Sequence, residues 1–145
     1  MKDDRSERML ENRDMPPFFS ALGMSVEEIG RERVVVRMDV PDAFYTPYGA
    51  IHGGVVAALM DTVGGIVVAT HLTPADRTAT HSFNINYTSF VRERHCLCIG
   101  RMLAMSRHVA TVELEVHRPD GTLAAKAIGA YGIFRNKNKD AGGSP

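Results

Sequence analysis

The residues of this chain best suited to chemistry fall in one short stretch: His52, Gly53 and Gly54, followed after six apolar or small residues by Asp61. Two glycines at the junction of a loop and a helix leave the first helical N–H groups open to approach by a ligand. Those groups point away from the helix start and lie at the positive end of its dipole, so they can stabilise an oxyanion. The same two glycines also suit a plain tight turn. Asp61 is the only charged residue between His52 and Leu72. A carboxylate on an apolar helix loses hydration worth several kcal/mol unless it is paired or neutralised. It is therefore either a working base or nucleophile, or an Asp at a locally exposed position or bonded to nearby backbone.

Spacing limits how the two parts can cooperate. Gly53 and Asp61 are eight residues apart, roughly 12 Å along a helix at about 1.5 Å per residue, so within one chain they cannot meet around one substrate atom. A site that uses both requires two chains. A two-fold pairing of antiparallel helices would bring Asp61 of each towards Gly53 of the other. The small residues Gly53, Gly54, Ala57, Ala58, Gly64 and Gly65 permit such an approach.

The elements that must hold these residues follow from periodicity. His52 to Leu72 is apolar nearly all round and reads as one buried helix. Ahead of it, Met15-Pro16-Pro17-Phe18-Phe19 starts a short helix or turn, and Val26 to Val40 reads as a strand. There Val34, Val36, Met38 and Val40 alternate with Arg33, Val35, Arg37 and Asp39. Beyond Asp76 the period of two returns in Ala79–Phe90, Cys96–Met105, Val109–Val116 and Thr122–Phe134, with Asp120-Gly121 marking a tight hairpin turn between the last two. One strand, one helix and four successive strands predict an α+β domain with an antiparallel meander against the helix. A helix apolar on every side needs a second cover beyond the sheet, which a second subunit would supply. The charged stretch 1–14 is expected to be an arm or short surface helix, 15–135 the folded domain, and 136–145 a disordered tail.

His52-Gly53-Gly54, six residues and Asp61 resemble the H-G-G-x6-D motif of the hotdog-fold acyl-CoA thioesterases of the PaaI-like, phenylacetate-degradation type. The similarity extends from the first strand through Phe83-Asn84-Ile85-Asn86-Tyr87 to Ala125-Lys126-Ala127. The resemblance implies a hotdog fold, an antiparallel sheet wrapped around one long central helix, in a homodimer or dimer of dimers. It further implies that the amide matching Gly53 polarises the thioester carbonyl and that the carboxylate matching Asp61, from the partner subunit, acts as general base or nucleophile. His52 would hold the loop, and Gly54 would contact substrate. Where many relatives carry a water-positioning Asn, this chain has Thr46, whose hydroxyl lacks the amide's paired donor and acceptor. Thr80 matches a Ser or Thr near the carboxylate, and Arg107, in a turn between strands, matches a basic residue beside the CoA phosphates. Asn84 and Tyr48 are further candidate substrate contacts.

Other classes find less support. Lys+Arg 17 against Asp+Glu 17 gives no net charge to attract nucleic acid or an anionic membrane. No apolar run is long enough to span a bilayer and no leader precedes the domain, so a cytoplasmic setting is the expectation. Cys96 and Cys98, two apart on one strand, are poor disulfide partners and do not form a zinc knuckle. No nucleophile elbow and no phosphate-cradling loop occur. No metal and no cofactor is called for, because thioester hydrolysis needs only a carboxylate, a preorganised amide and a water. Phe18, Phe19, Phe44, Tyr45 and Tyr48 would serve equally as walls of an acyl pocket or as core. A non-catalytic acyl-CoA-binding module and a hotdog dehydratase are the alternatives. The first lacks room for a DNA-binding portion, and the second lacks its His and carboxylate arrangement.

Overall fold

A computed structural model describes residues 4–11 and 15–137. Residues 1–3 and 12–14 of the charged arm, and the expected tail beyond Lys137, lie outside the described residues. The elements are α1 (Asp4–Leu10), α2 (Pro17–Ala21), β1 (Met24–Ile29), β2 (Val34–Asp39), a 3-10 turn at Asp42–Phe44, α3 (Gly53–Ala69), β3 (Arg77–Tyr87), β4 (His95–Met105), β5 (Val109–His117) and β6 (Leu123–Phe134). All five strand pairs are antiparallel, in the order β1-β2-β4-β5-β6-β3, and α3 lies against the sheet in the hotdog arrangement.

Two features depart from the sequence reading. The single strand expected over Val26–Val40 is a hairpin, β1 and β2, paired from Met24↔Met38 to Ile29↔Val34. Gly30 and the charged Arg31-Glu32-Arg33 interrupt the apolar alternation, and Arg33 Nε donates a 3.0 Å bond back to Glu28. The last four strands are also not a simple meander. β4, β5 and β6 follow one another, but β3 lies at the far edge beside β6, from Arg77↔Phe134 to Tyr87↔Ala125. The β3–β4 connection must therefore cross the molecule, and it does so past the start of α3.

The core lies between α3 and the sheet. Leu59, Met60, Val63, Val67 and Val68 of α3 pack with Val34, Val36 and Met38 of β2, Cys96 and Cys98 of β4, and Val112, Leu114 and Val116 of β5. Each large aliphatic side chain so buried contributes roughly 1.5–3 kcal/mol. The two cysteines are free thiols, and burial pushes that of Cys96 up to about 12, so they act as small apolar residues. From α1, Met9 and Leu10 pack against this core, and Arg5 reaches the carbonyls of Ala69 and Leu72 at 3.3 and 3.4 Å. That places a cation at the C-terminal, carbonyl end of α3.

The helix is not enclosed on every side. Gly54 is exposed, and Ala58, Asp61, Thr62, Gly65 and Ala69 are only half-buried, with open space beside Gly65. This stripe of small and polar residues follows the i, i+3/i+4 spacing of one helical face.

Candidate active site

At the start of α3, His52 is the N-cap, with φ −59° and ψ 133°, and its ring Nδ1 accepts a 2.9 Å bond from the Gly54 N–H. The ring is therefore unprotonated at Nδ1. The His52 N–H donates to Phe44 at 2.9 Å, and its carbonyl accepts from Val55 at 2.9 Å and Val56 at 3.3 Å. Capping thus occupies the Gly54, Val55 and Val56 donors. The Gly53 N–H finds no partner among the described residues. It is the one helix-start donor left for a ligand, since the first N–H groups of a helix have no intrahelical acceptor. On the other side of the same residue, the Tyr87 hydroxyl donates a 2.6 Å bond to the Gly53 carbonyl and ties the helix start to the end of β3. Burial raises the Tyr87 phenol above its ordinary value, so it remains a donor.

The β3–β4 connection builds a wall around this point. Ile51 donates to Val91 at 2.8 Å, Thr88 to Ala124 at 2.8 Å, and the Tyr45 hydroxyl to Glu93 at 2.6 Å. Between the wall and the helix start lies a cavity of about 520 Å³. Gly53 and Gly54 stand on one side, and Ile51, Val56, Phe90 and Val91 supply apolar surface. Phe90 is exposed, with the Arg92 guanidinium 5.2 Å above its ring. An apolar cavity of this size with a few directed polar groups is the usual form of a small-ligand site.

The second group lies further along α3. Asp61 is half-buried, not buried, and so corresponds to a partly exposed helix position. Thr80 Oγ1 on β3 donates a 2.7 Å bond to Asp61 Oδ1. The Tyr131 hydroxyl on β6 lies 3.2 Å from the same Oδ1 and 3.1 Å from the Asp61 carbonyl. No donor among the described residues reaches Oδ2. Tyr131 is only 1% exposed. Burial first, and then the Asp61 carboxylate, push its phenol far above the ordinary tyrosine value, which keeps it neutral and a hydrogen-bond donor. Sequence reasoning missed Tyr131, because the pairing of β3 with β6 that brings it beneath Asp61 is nonlocal.

Of the residues singled out in the sequence, the fold groups His52, Gly53 and Gly54 at one end of this face and Asp61 with Thr80 at the other. Thr46 is half-buried in the preceding loop, its N–H bonded to Ala50 at 2.7 Å and its carbonyl to Gly49 at 2.9 Å, and it is not part of the cavity wall. Tyr48 is 85% exposed at the tip of that loop. Arg107 sits in the exposed β4–β5 turn. Asn84, paired with Ile128, is exposed on β3 and alternates with the inward-packed Phe83 and Ile85, so it faces away from α3. None of the five aromatic residues weighed as pocket walls lines the cavity. Phe19 is buried in the core, Phe44 and Tyr45 pack against it, and Phe18 and Tyr48 are exposed. Tyr87 and Phe90 take that place. The signal for Tyr87 lay in the alternation Phe83, Ile85, Tyr87, which puts it on the helix side of β3.

The model of the thioesterase superfamily matches residues 48–125, more than half of the chain. The chain belongs to this superfamily. The matched stretch spans the helix start, Asp61, Thr80 and the cavity wall. A protein of Saccharolobus solfataricus provisionally named an esterase is 30% identical over 119 residues, covering 82% of this chain and 84% of the relative. A thioesterase of Haemophilus influenzae has the same fold with a TM-score of 0.83 at 19% identity, covering 92% of this chain and 93% of that one. So does a phenylacetic acid degradation-related protein of Ralstonia eutropha, provisionally named a thioesterase. Its TM-score is 0.80 at 23% identity, with 87% of this chain and 97% of that one covered. Superfamily membership points to hydrolysis of a thioester as the chemistry. No helix among the described residues is long and apolar enough to cross a membrane.

Proposed function

We propose that the chain hydrolyses acyl-CoA or aroyl-CoA thioesters to the free acid and CoA, at sites shared between two copies of the chain. The observation that carries this reading is the Gly53 N–H, without a partner among the described residues, at the mouth of an apolar cavity while His52 occupies its neighbour Gly54. The acyl chain or ring enters the cavity against Val56, Phe90 and Val91, and the thioester carbonyl oxygen accepts from Gly53.

A water activated by the partner subunit's Asp61 attacks the carbonyl carbon, passing its proton to the carboxylate. The oxyanion that forms is held by the Gly53 amide in an apolar setting, where such a donor is worth more than in water. The C–S bond then breaks, the carboxyl proton passes to the departing sulfur, and Asp61 is ready again. Direct attack by the carboxylate through an anhydride is the other course open to the same residues. Exposed Tyr48 and Arg107 are available to the CoA portion.

Sharing between chains is supported by the spacing of the two ends of the helix and by two surfaces. β3, paired with β6 on one side, is an edge strand of 11 residues whose other side pairs with no strand among the described residues, and long open edges invite pairing with another strand. The small-residue face of α3 lies next to it. The test is release of free thiol from a panel of acyl-CoAs, short aliphatic to aromatic, by the wild-type chain and by Asp61→Asn. Turnover lost in the variant supports the reading. Equal turnover removes it, and tight binding without turnover in the wild type would make the chain a non-catalytic acyl-CoA-binding module.

A further inference from the structure

The proposed chemistry uses one carboxylate, and the two oxygens of that carboxylate have different surroundings. Oδ1 of Asp61 has the Thr80 hydroxyl at 2.7 Å and the Tyr131 hydroxyl at 3.2 Å, whereas among the described residues Oδ2 has no donor. The two hydroxyls come from neighbouring strands, Thr80 pairing directly with Tyr131, so one rung of the sheet presents both to the helix.

The seat of the Tyr131 ring is shaped by missing side chains. A Cβ at Gly64, one turn beyond Asp61, would lie 1.9 Å from the Tyr131 hydroxyl oxygen, and one at Gly129 would lie 2.8 Å from its ring. Contacts that short do not occur, so any larger residue at Gly64 would drive the phenol away from Asp61. The glycines on α3 and β6 leave room for a full tyrosine in the core directly beneath a half-exposed carboxylate. A phenylalanine would fill the same space without bringing a hydroxyl into a core in which, among the described residues, no polar or charged side chain of another type is buried. Placing a hydroxyl there is costly unless it is bonded, and among the described residues its acceptors are the Asp61 backbone carbonyl at 3.1 Å and Oδ1 at 3.2 Å, which share its one proton.

We propose that Tyr131 is a positioning residue for the hydrolytic step: with Thr80 it clamps Asp61 Oδ1, fixes the carboxylate plane, and leaves Oδ2 as the oxygen that takes the proton from water or attacks the thioester. This rests on the thioesterase reading above. The phenol itself exchanges no proton, because burial holds it in the neutral form. Its contribution is to orientation, and small misplacements of a reacting group can cost up to about 100-fold in rate.

The test is Tyr131→Phe in the full chain. It is followed by thermal melting and by single-turnover thiol release with enzyme in excess over acyl-CoA, whose rate constant does not depend on how much of the enzyme is folded. The rate constant should fall about tenfold, with KM within about twofold and the melting temperature within a few degrees. The double variant with Thr80→Val should be little slower than the slower single variant, because both hydroxyls act on one oxygen. An unchanged rate constant, or a chain that fails to fold, would make the hydroxyl purely structural and overturn the proposal. Losses that multiply in the double variant would overturn it too, since the clamp would then not be shared. Full activity of Asp61→Asn would instead defeat the thioesterase mechanism, whatever Tyr131 does.

Discussion

Thr80 on β3 bonds Asp61 on α3 through a 2.7 Å contact that crosses from sheet to helix. With the Tyr87 bond to the Gly53 carbonyl, it ties the edge strand to the central helix, and it sets the first prediction. On the proposed mechanism, Asp61→Asn should lower kcat by about 10²–10⁴-fold, the span of a lost general base. Thr80→Val keeps the shape and removes one donor to a charged acceptor. It should cost about tenfold in kcat, since such a bond is worth about 1.5 kcal/mol. Steady-state thiol release measures both, and a Thr80→Val enzyme as fast as wild type would show that the contact does not orient the base.

The shared site can be tested at the other end of the helix. Gly53 is the first helical residue, and His52 before it is extended, at φ −59° and ψ 133°. Proline is tolerated at this position and prefers an extended residue before it. Gly53→Pro should thus keep the helix and delete the free N–H, lowering kcat by about 10²–10³-fold. Mixing Gly53→Pro with Asp61→Asn chains after subunit exchange should restore about one quarter of wild-type activity. Half of the dimers would be mixed, and each of those would have one intact site. Two dead variants that stay dead on mixing would place both groups in the same chain's site.

How far these arrangements were legible in the sequence depends on how local they are. Helix α3 and strands β3 to β6 were visible because apolar residues repeat with the period of each element, and the turn at Asp120-Gly121 was visible from its chemistry, with Gly121 at φ 85°. The β1–β2 hairpin was hidden because Val26 to Val40 is apolar enough on both sides of Gly30 to pass for one strand. The placement of β3 beside β6 was hidden for a stronger reason. No local pattern states which strands pair, and without that pairing neither the Tyr131 contact nor the cavity wall at Thr88–Val91 can be deduced. The placing of Gly53 at the start of α3 and of Asp61 further along the same helix was legible from the apolar run and its glycines, and the resemblance attached an expected activity to the pair. That α3 needs a cover beyond the sheet was legible too, but which residues form its half-open face was not, since a run of Val, Ala and Gly reads as buried whether its cover is the sheet or another chain.

His52 is placed to act through the loop. Its Nδ1 on the Gly54 N–H caps a helix that has no acidic residue in its first turn. His52→Ala should lose about 1 kcal/mol, seen as a melting temperature lower by about 3–4 °C. Asn is among the best N-cap residues, so His52→Asn should recover the stability. It should also recover activity if the ring only caps. Stability regained without activity, measured by melting and thiol release on the same samples, would give the imidazole a part in binding or chemistry.

The cavity wall has its own pH dependence. Glu93, in the β3–β4 connection, accepts from Arg118 Nε at 3.0 Å and Nη2 at 2.8 Å, and from the Arg92 N–H at 3.0 Å, which ties the wall to the β5–β6 turn. The Arg118 hydrogen bonds hold the Glu93 carboxyl below its ordinary value of 4.5, against an opposing effect of burial. A carboxylate with a depressed folded-state value stabilises the fold fully above its unfolded value, and that contribution fades as pH falls through the folded one. The window therefore lies below about pH 4.5, and near neutral pH the pair contributes its full amount. Both side chains are about one-third exposed, so solvent screening keeps that amount to about 1 kcal/mol or less. Glu93→Gln should lower the melting temperature at pH 7 and converge with wild type as the pH approaches 3. A constant difference across pH 3–7 would mean that Glu93 holds the wall by shape and neutral hydrogen bonds, and not by its charge.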